Sequence, residues 1–245
     1  METQIGIIPG QNRGTVDMEL FNETIAMLST GSSDEKQKHI EKIVTSPGDY
    51  IPRVFYYLSN ILYKQEKKEQ AYFWYYFGQM RAKYDSMRCV DVLASRAHDL
   101  LNMQFEPLII QDMFSDLDVI EQILEKVIEL NDSTPYNYDY HWINVYGLDS
   151  ICSRLFDDHD DNRKKPSLSV PKEEWNEIRE SVREFYLSEL QEIRKMKHEQ
   201  PENTNYPIAQ AQSDKILEAL TSLSLDSYSC DEESQTINHT NSVWL

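Results

Sequence analysis

The sequence predicts an all-α fold, an irregular multi-helix bundle built from helical hairpins, and three observations carry that prediction. The first is the stretch from Lys67 to Tyr84, where an unbroken aromatic run, Tyr72 to Phe77, lies between charged flanks. At about 100° per residue those rings point all round a helix, and a helix apolar on every side is one buried among other helices. Aromatic residues also favour strands, but Lys67 to Ala71 and Gln79 to Lys83 are strong helix formers, and no turn signal separates them from the rings. The second observation is a long periodic segment opened by Pro171, with Trp175, Ile178, Val182, Phe185, Leu190 and Ile193 on one face and Glu or Arg elsewhere. The third is that the intervening segments repeat apolar residues at helical spacing between capping and turn residues.

Residues 1–16, with Gly6, Pro9, Gly10 and Gly14, read as a flexible lead-in, because they carry too little apolar surface to offset their ordering entropy. A single helical domain is expected over 17–223. Met18, Phe21, Ile25 and Leu28 make its first helix, with Gly31 as a stop that tolerates left-handed angles. Ser33 is the expected cap of the next helix, bearing Ile40, Ile43 and Val44 and ended by Pro47-Gly48. Ile51 to Gln65 has a broad apolar face, and the polar turn Glu66 to Lys68 leads from it into the aromatic helix, so the two should form an antiparallel hairpin. Gly78 would let a neighbour approach closely.

After Tyr84, Asp85 or Ser86 is expected to cap a helix bearing Val90, Leu93, Ala94, Ala97 and Leu101. Ser115 and Asp118 resemble a capping box for a helix with Leu117, Ile120, Leu124, Val127 and Ile128 inside and an acidic outer face. Ser133 to Asp149 reads as a structured aromatic loop with one helical turn. A short helix through Ile151, Cys152 and Leu155, a charged loop from Asp157 to Lys165 and a last amphipathic helix over Ile208 to Leu223 complete the domain. Residues 224–245, rich in Ser, Thr, Asn and acid, read as a disordered tail.

Net charge is −18 with a pI near 4.7, which argues against direct contact with nucleic acid or an anionic membrane, since phosphate contacts need Lys and Arg. The charge is uneven. From Phe105 to Asp161 the cations are Lys126 and Arg154, against fourteen acids. Cys89, Cys152 and Cys230 are too scattered for a disulfide framework or a zinc site. With no apolar leader or membrane-length run, a cytoplasmic location is expected.

No nucleophile elbow, phosphate-cradling loop, HExxH or dinucleotide fingerprint occurs, and no cofactor is indicated. His98 and His141 lack a local nucleophile or ligand partner and read as structural. The acids around His159 lack the alternation and central Gly of a calcium loop, so solvated charge is the simpler reading than metal binding. The tyrosines between Tyr136 and Tyr146 fit two readings equally: an interface hot spot, or a loop pinned to the core by its rings.

The segment carrying Ala71, Phe73, Trp74, Tyr75, Tyr76, Gly78, Gln79, Met80, Arg81, Lys83 and Tyr84 resembles a motif of small helical bacterial proteins. Some of these look like immunity proteins encoded beside secreted toxins. The resemblance covers about fifteen residues and implies a non-enzymatic antitoxin, and the net negative charge implies that its cognate toxin is basic. An acidic surface would steer that association and complement a site built for phosphate-bearing substrates. The expected contacts are Asp116, Asp118, Glu121, Glu125, Glu129, Tyr138, Asp139, Tyr140, Trp142, Asp157 and Asp158. The rival readings are a helical-repeat-like adaptor with a Tyr- and Trp-lined peptide groove, and an enzyme with a dispersed, metal-assisted site at Asp157 to Asp161.

Overall fold

The structure, a computed structural model, describes residues 18–91, 94–104, 112, 116–146 and 169–199. All of them belong to one compact unit, and among them there is no strand. Seven α-helices are described: α1 Glu19–Thr30, α2 Ser33–Thr45, α3 Pro52–Lys64, α4 Lys68–Met87, α5 Ala97–Met103, α6 Leu117–Ser133 and α7 Trp175–Glu199. Short 3-10 turns at Pro47–Asp49, Ala94–Arg96, Tyr140–Tyr146 and Lys172–Glu174 join or precede them.

The aromatic helix α4 is the centre of the bundle, packed against α3, α5, α6 and α7. Its rings point all round and are nearly all buried, as the unbroken run demands. The antiparallel hairpin with α3 is present. Phe55 stacks on Trp74 with ring centroids 5.5 Å apart and meets Phe77 edge-on at 4.9 Å. Tyr56 meets Tyr75 edge-on at 5.5 Å, and the buried Ser59 hydroxyl donates to the Ala71 carbonyl at 2.7 Å. Glu66 takes a left-handed φ of 60°, which lets the chain reverse within the polar turn.

At Gly78 the two helices approach closely. A Cβ there would lie 2.9 Å from the Cβ of Phe55 and 3.2 Å from the Pro52 carbonyl oxygen. Toward α7, the fully buried Tyr186 donates its hydroxyl to Gln79 Oε1 at 3.2 Å, and Gln79 donates to the Tyr75 hydroxyl at 3.3 Å.

Several expected boundaries move. The cap of α2 is Ser32, not Ser33, and it makes a full capping box with Glu35. Gly31 is extended, with φ −61° and ψ 156°, because the chain passes straight into that cap. Asp116, not Ser115, caps α6, accepting from the backbone N–H groups of Asp118 and Val119 at 3.0 and 3.1 Å. Asp85 and Ser86 start no helix. They are buried inside α4, which runs on to Met87, so Val90 is an exposed linker residue and the next helix begins only at Ala97. The helix over 151–155, the charged loop after it, the helix over 208–223 and both expected mobile ends lie outside the described residues.

Gly78→Ala tests the close approach. Alanine raises helix propensity by about 1 kcal/mol, but the Cβ meets backbone and a Cβ that only a shift of α3 can clear. A net loss of about 1–3 kcal/mol in urea unfolding is expected, and a stabilised variant would contradict the packing.

Candidate partner-binding surface

The acidic surface starts from the periodicity of α6. Leu117, Ile120, Ile123, Leu124, Val127 and Ile128 are buried, so Asp118, Glu121, Glu125 and Glu129 fall on the other side. Asp118, Glu125 and Glu129 are exposed, and Glu121 is half-buried. Part of this row is already neutralised by α7. Glu121 accepts from Arg194 Nε at 2.8 Å and from Lys197, Glu125 pairs with Arg194, and Asp118 pairs with Lys197. Nearer the end of α6, Arg183 Nε donates to Asp132 at 3.0 Å. Charge counted between Phe105 and Asp161 could not reveal this seam, because its cations come from a helix at least 51 residues on. Asp116 is spent on the cap, leaving Glu129 as the exposed predicted acid of α6 with neither a capping role nor a described ion pair.

The aromatic residues predicted as contacts divide differently. Trp142 is fully buried and donates its Nε1–H to Asp85 at 2.7 Å, so it is a core residue and cannot face a partner. Tyr138 is tied to the same carboxylate, donating at 2.9 Å. Tyr140 packs edge-on against Trp175 at 5.0 Å, and its hydroxyl lies 3.3 Å from Ser169 Oγ. Asp139 is exposed and accepts from the backbone N–H of His141 at 2.9 Å. Of the two readings of this loop, the one in which its rings pin it to the core describes Tyr136, Tyr138 and Trp142. Asp157 and Asp158 lie outside the described residues.

What holds the loop is a charged row on α4 and its C-cap Arg88 that sequence reasoning read only in part. Arg81, Asp85 and Arg88 occur at i, i+4 and i+7, on one face, and all three are buried. Arg81 lies over the Tyr136 ring at 3.6 Å and donates to the Pro135 carbonyl at 2.7 Å and to Asn131 Oδ1 at 3.4 Å. Asp85 takes three donors, from Arg88, Tyr138 and Trp142. Burial pushes its carboxyl above the ordinary range, while Arg88 and the two ring donors pull the other way. Arg88 is also sandwiched among Tyr84, Tyr140 and Trp175 at 4.1, 4.5 and 4.6 Å. The missed signal was the i, i+4, i+7 spacing of opposite charges on a helix otherwise too apolar to face water.

The two candidate histidines have local partners: His98 Nδ1 is 2.9 Å from Asp99, and His141 Nδ1 is 2.7 Å from Asp139. Cys89 donates its thiol to Asn144 Oδ1 at 3.2 Å, and burial pushes the thiol up to about 11. Among the described residues no group of three or more His, Cys, Asp or Glu is placed to hold a metal ion, and no helix is long and apolar enough to cross a membrane.

Asp85→Asn removes the charge that compensates Arg88 in the interior. A loss of about 3–5 kcal/mol in urea unfolding is expected, and a change below about 1 kcal/mol would show that Asp85 does not stabilise that guanidinium. The seam gives a pH dependence of known sign. Hydrogen bonds from Lys197 and Arg194 hold Glu121 below its ordinary 4.5, so its contribution is present above that value and is lost as pH falls below it through the depressed folded pKa. Glu121→Gln should flatten the acid limb of the stability profile, less so at high salt. Comparison of the chain with protein-family models, with curated proteins and with solved structures finds no match.

Proposed function

We propose that the protein is an immunity protein, an antitoxin that binds and neutralises a cognate basic toxin through its acidic surface, without chemistry of its own. The observation that carries this reading is the concentration of negative charge from Phe105 to Asp161, two cations against fourteen acids, with exposed Asp118, Glu125 and Glu129 along α6. A negative field of that kind accelerates encounter with a basic surface and opposes nucleic acid, which competes for the same basic surface. The α6–α7 seam adds a physical requirement. The basic side chains of a partner must compete with Arg194 and Lys197 for Glu121, Glu125 and Asp118, so Glu129 and the exposed edge of Glu125 are the natural first contacts. The burial of Trp74, Tyr75, Tyr76 and Trp142 removes the lining that a Tyr- and Trp-walled peptide groove would use, and disfavours the adaptor reading.

The test is co-purification of the tagged protein from its native cells at low salt, with identification of what stays bound. One basic partner in equal proportion, lost at high salt, is expected. With that partner in hand, Glu125→Lys combined with Glu129→Lys should slow association by about tenfold and flatten its salt dependence while the circular dichroism spectrum is unchanged. Unchanged association kinetics would overturn the assignment of the α6 face, and recovery of a clean monomer would overturn the antitoxin reading.

A further inference from the structure

Three polar groups on one side of α3 have hydrogen-bonding capacity that the fold leaves unused. Arg53 stands in the first turn of α3, with its guanidinium carbon 5.0 Å from the Phe21 ring centre, 6.0 Å from Tyr57 and 5.9 Å from Tyr146. Its Nε is buried and has no hydrogen-bond partner. The Tyr146 hydroxyl is likewise buried and unpartnered, and so is Asn60 Oδ1, two helical turns beyond Arg53 on the same face. Arg81 Nε and Arg88 Nε are also buried without a partner, so the difference lies in the rest of each guanidinium. Arg88 has Asp85, and Arg81 has the Pro135 carbonyl and Asn131, whereas Arg53 is held only by rings.

Buried polar groups are normally paired, and a buried cationic donor beside a buried hydroxyl donor is the complement of an oxyanion. We propose that Arg53 and Tyr146 form a binding site for a carboxylate, with Phe21 and Tyr57 as apolar walls for the body of the acid. A carboxylate fits better than a phosphate dianion. The site offers one positive charge in a planar fork and one neutral donor, which match a monoanion with two coplanar oxygens. Tyr57 is 38% exposed, so this wall of the site stands at the surface. Asn60 lies about 10 Å along the helix axis, so an acid with a distal N–H or O–H spans from the fork to that acceptor. The site uses none of the residues proposed to contact a basic partner, and stands whatever the fate of that reading.

Isothermal titration of the full chain with benzoate, acetate and inorganic phosphate tests it. Benzoate should bind at one site, more tightly than acetate because of the aromatic walls, with phosphate weaker than either. Arg53→Met should cost about tenfold or more, Tyr146→Phe about threefold to tenfold, and Arg53→Lys an intermediate amount, because a point charge replaces the fork. Arg183→Met, at the α6–α7 seam, should leave binding unchanged, and near-ultraviolet circular dichroism establishes that each variant is folded. Absence of benzoate binding at tens of millimolar, retention of it in Arg53→Met, equal loss in Arg183→Met, or tighter binding of phosphate would each overturn the proposal.

Discussion

The rest of the structure depends on the compensation of charge inside α4. A helix that is aromatic on every side can be packed by almost any apolar neighbour, so its rings alone do not specify which ones. Arg81, Asp85 and Arg88 supply that specification, because a buried guanidinium or carboxylate must find partners of definite geometry. Arg81 finds the Pro135 carbonyl and the Tyr136 face; Asp85 finds Tyr138 and Trp142. Between them they draw residues 135–142 onto α4. Arg88 then gathers Tyr140 and Trp175, and its carbonyl accepts from the Val170 N–H at 2.9 Å, which sets where α7 begins.

That arrangement separates two kinds of charge. The interior row is small in number and held by rings, the Pro135 carbonyl, Asn131 and one carboxylate, with Arg81 Nε and Arg88 Nε left unpartnered, and its burial gives it no route to a partner. The outer row on α6 is screened, exchangeable and paired with α7 by long side chains, where each exposed pair is worth little and the field of the whole matters more. The interior row therefore fixes how the bundle packs, and the outer row contributes mainly to the field around it.

Legibility from the sequence followed the range of the interaction. The helix identities, the α3–α4 hairpin and the burial of α4 rest on local periodicity and are readable from spacing alone. Cap positions slipped by one residue, at Ser32 and Asp116, because two adjacent residues of capping type stood at each site and only backbone angles choose between them. Asp85 and Ser86 read as a helix start because Asp and Ser usually are; burial of the carboxylate among Trp142, Tyr138 and Arg88 overrides that preference. Trp142 and Tyr138 had the composition of a hot spot, and composition does not say which way a ring turns.

By itself the sequence determined that this chain is helical, that its aromatic segment is interior and that its negative charge is concentrated over the middle of the chain, since periodicity and charge are properties of residues close in sequence. Only the tertiary structure decided which acids remain open. Arg194 and Lys197 stand more than sixty positions from the carboxylates they neutralise, and Arg53 is left with rings and no carboxylate, because pairing across such separations depends on how helices pack and not on how they are spelled.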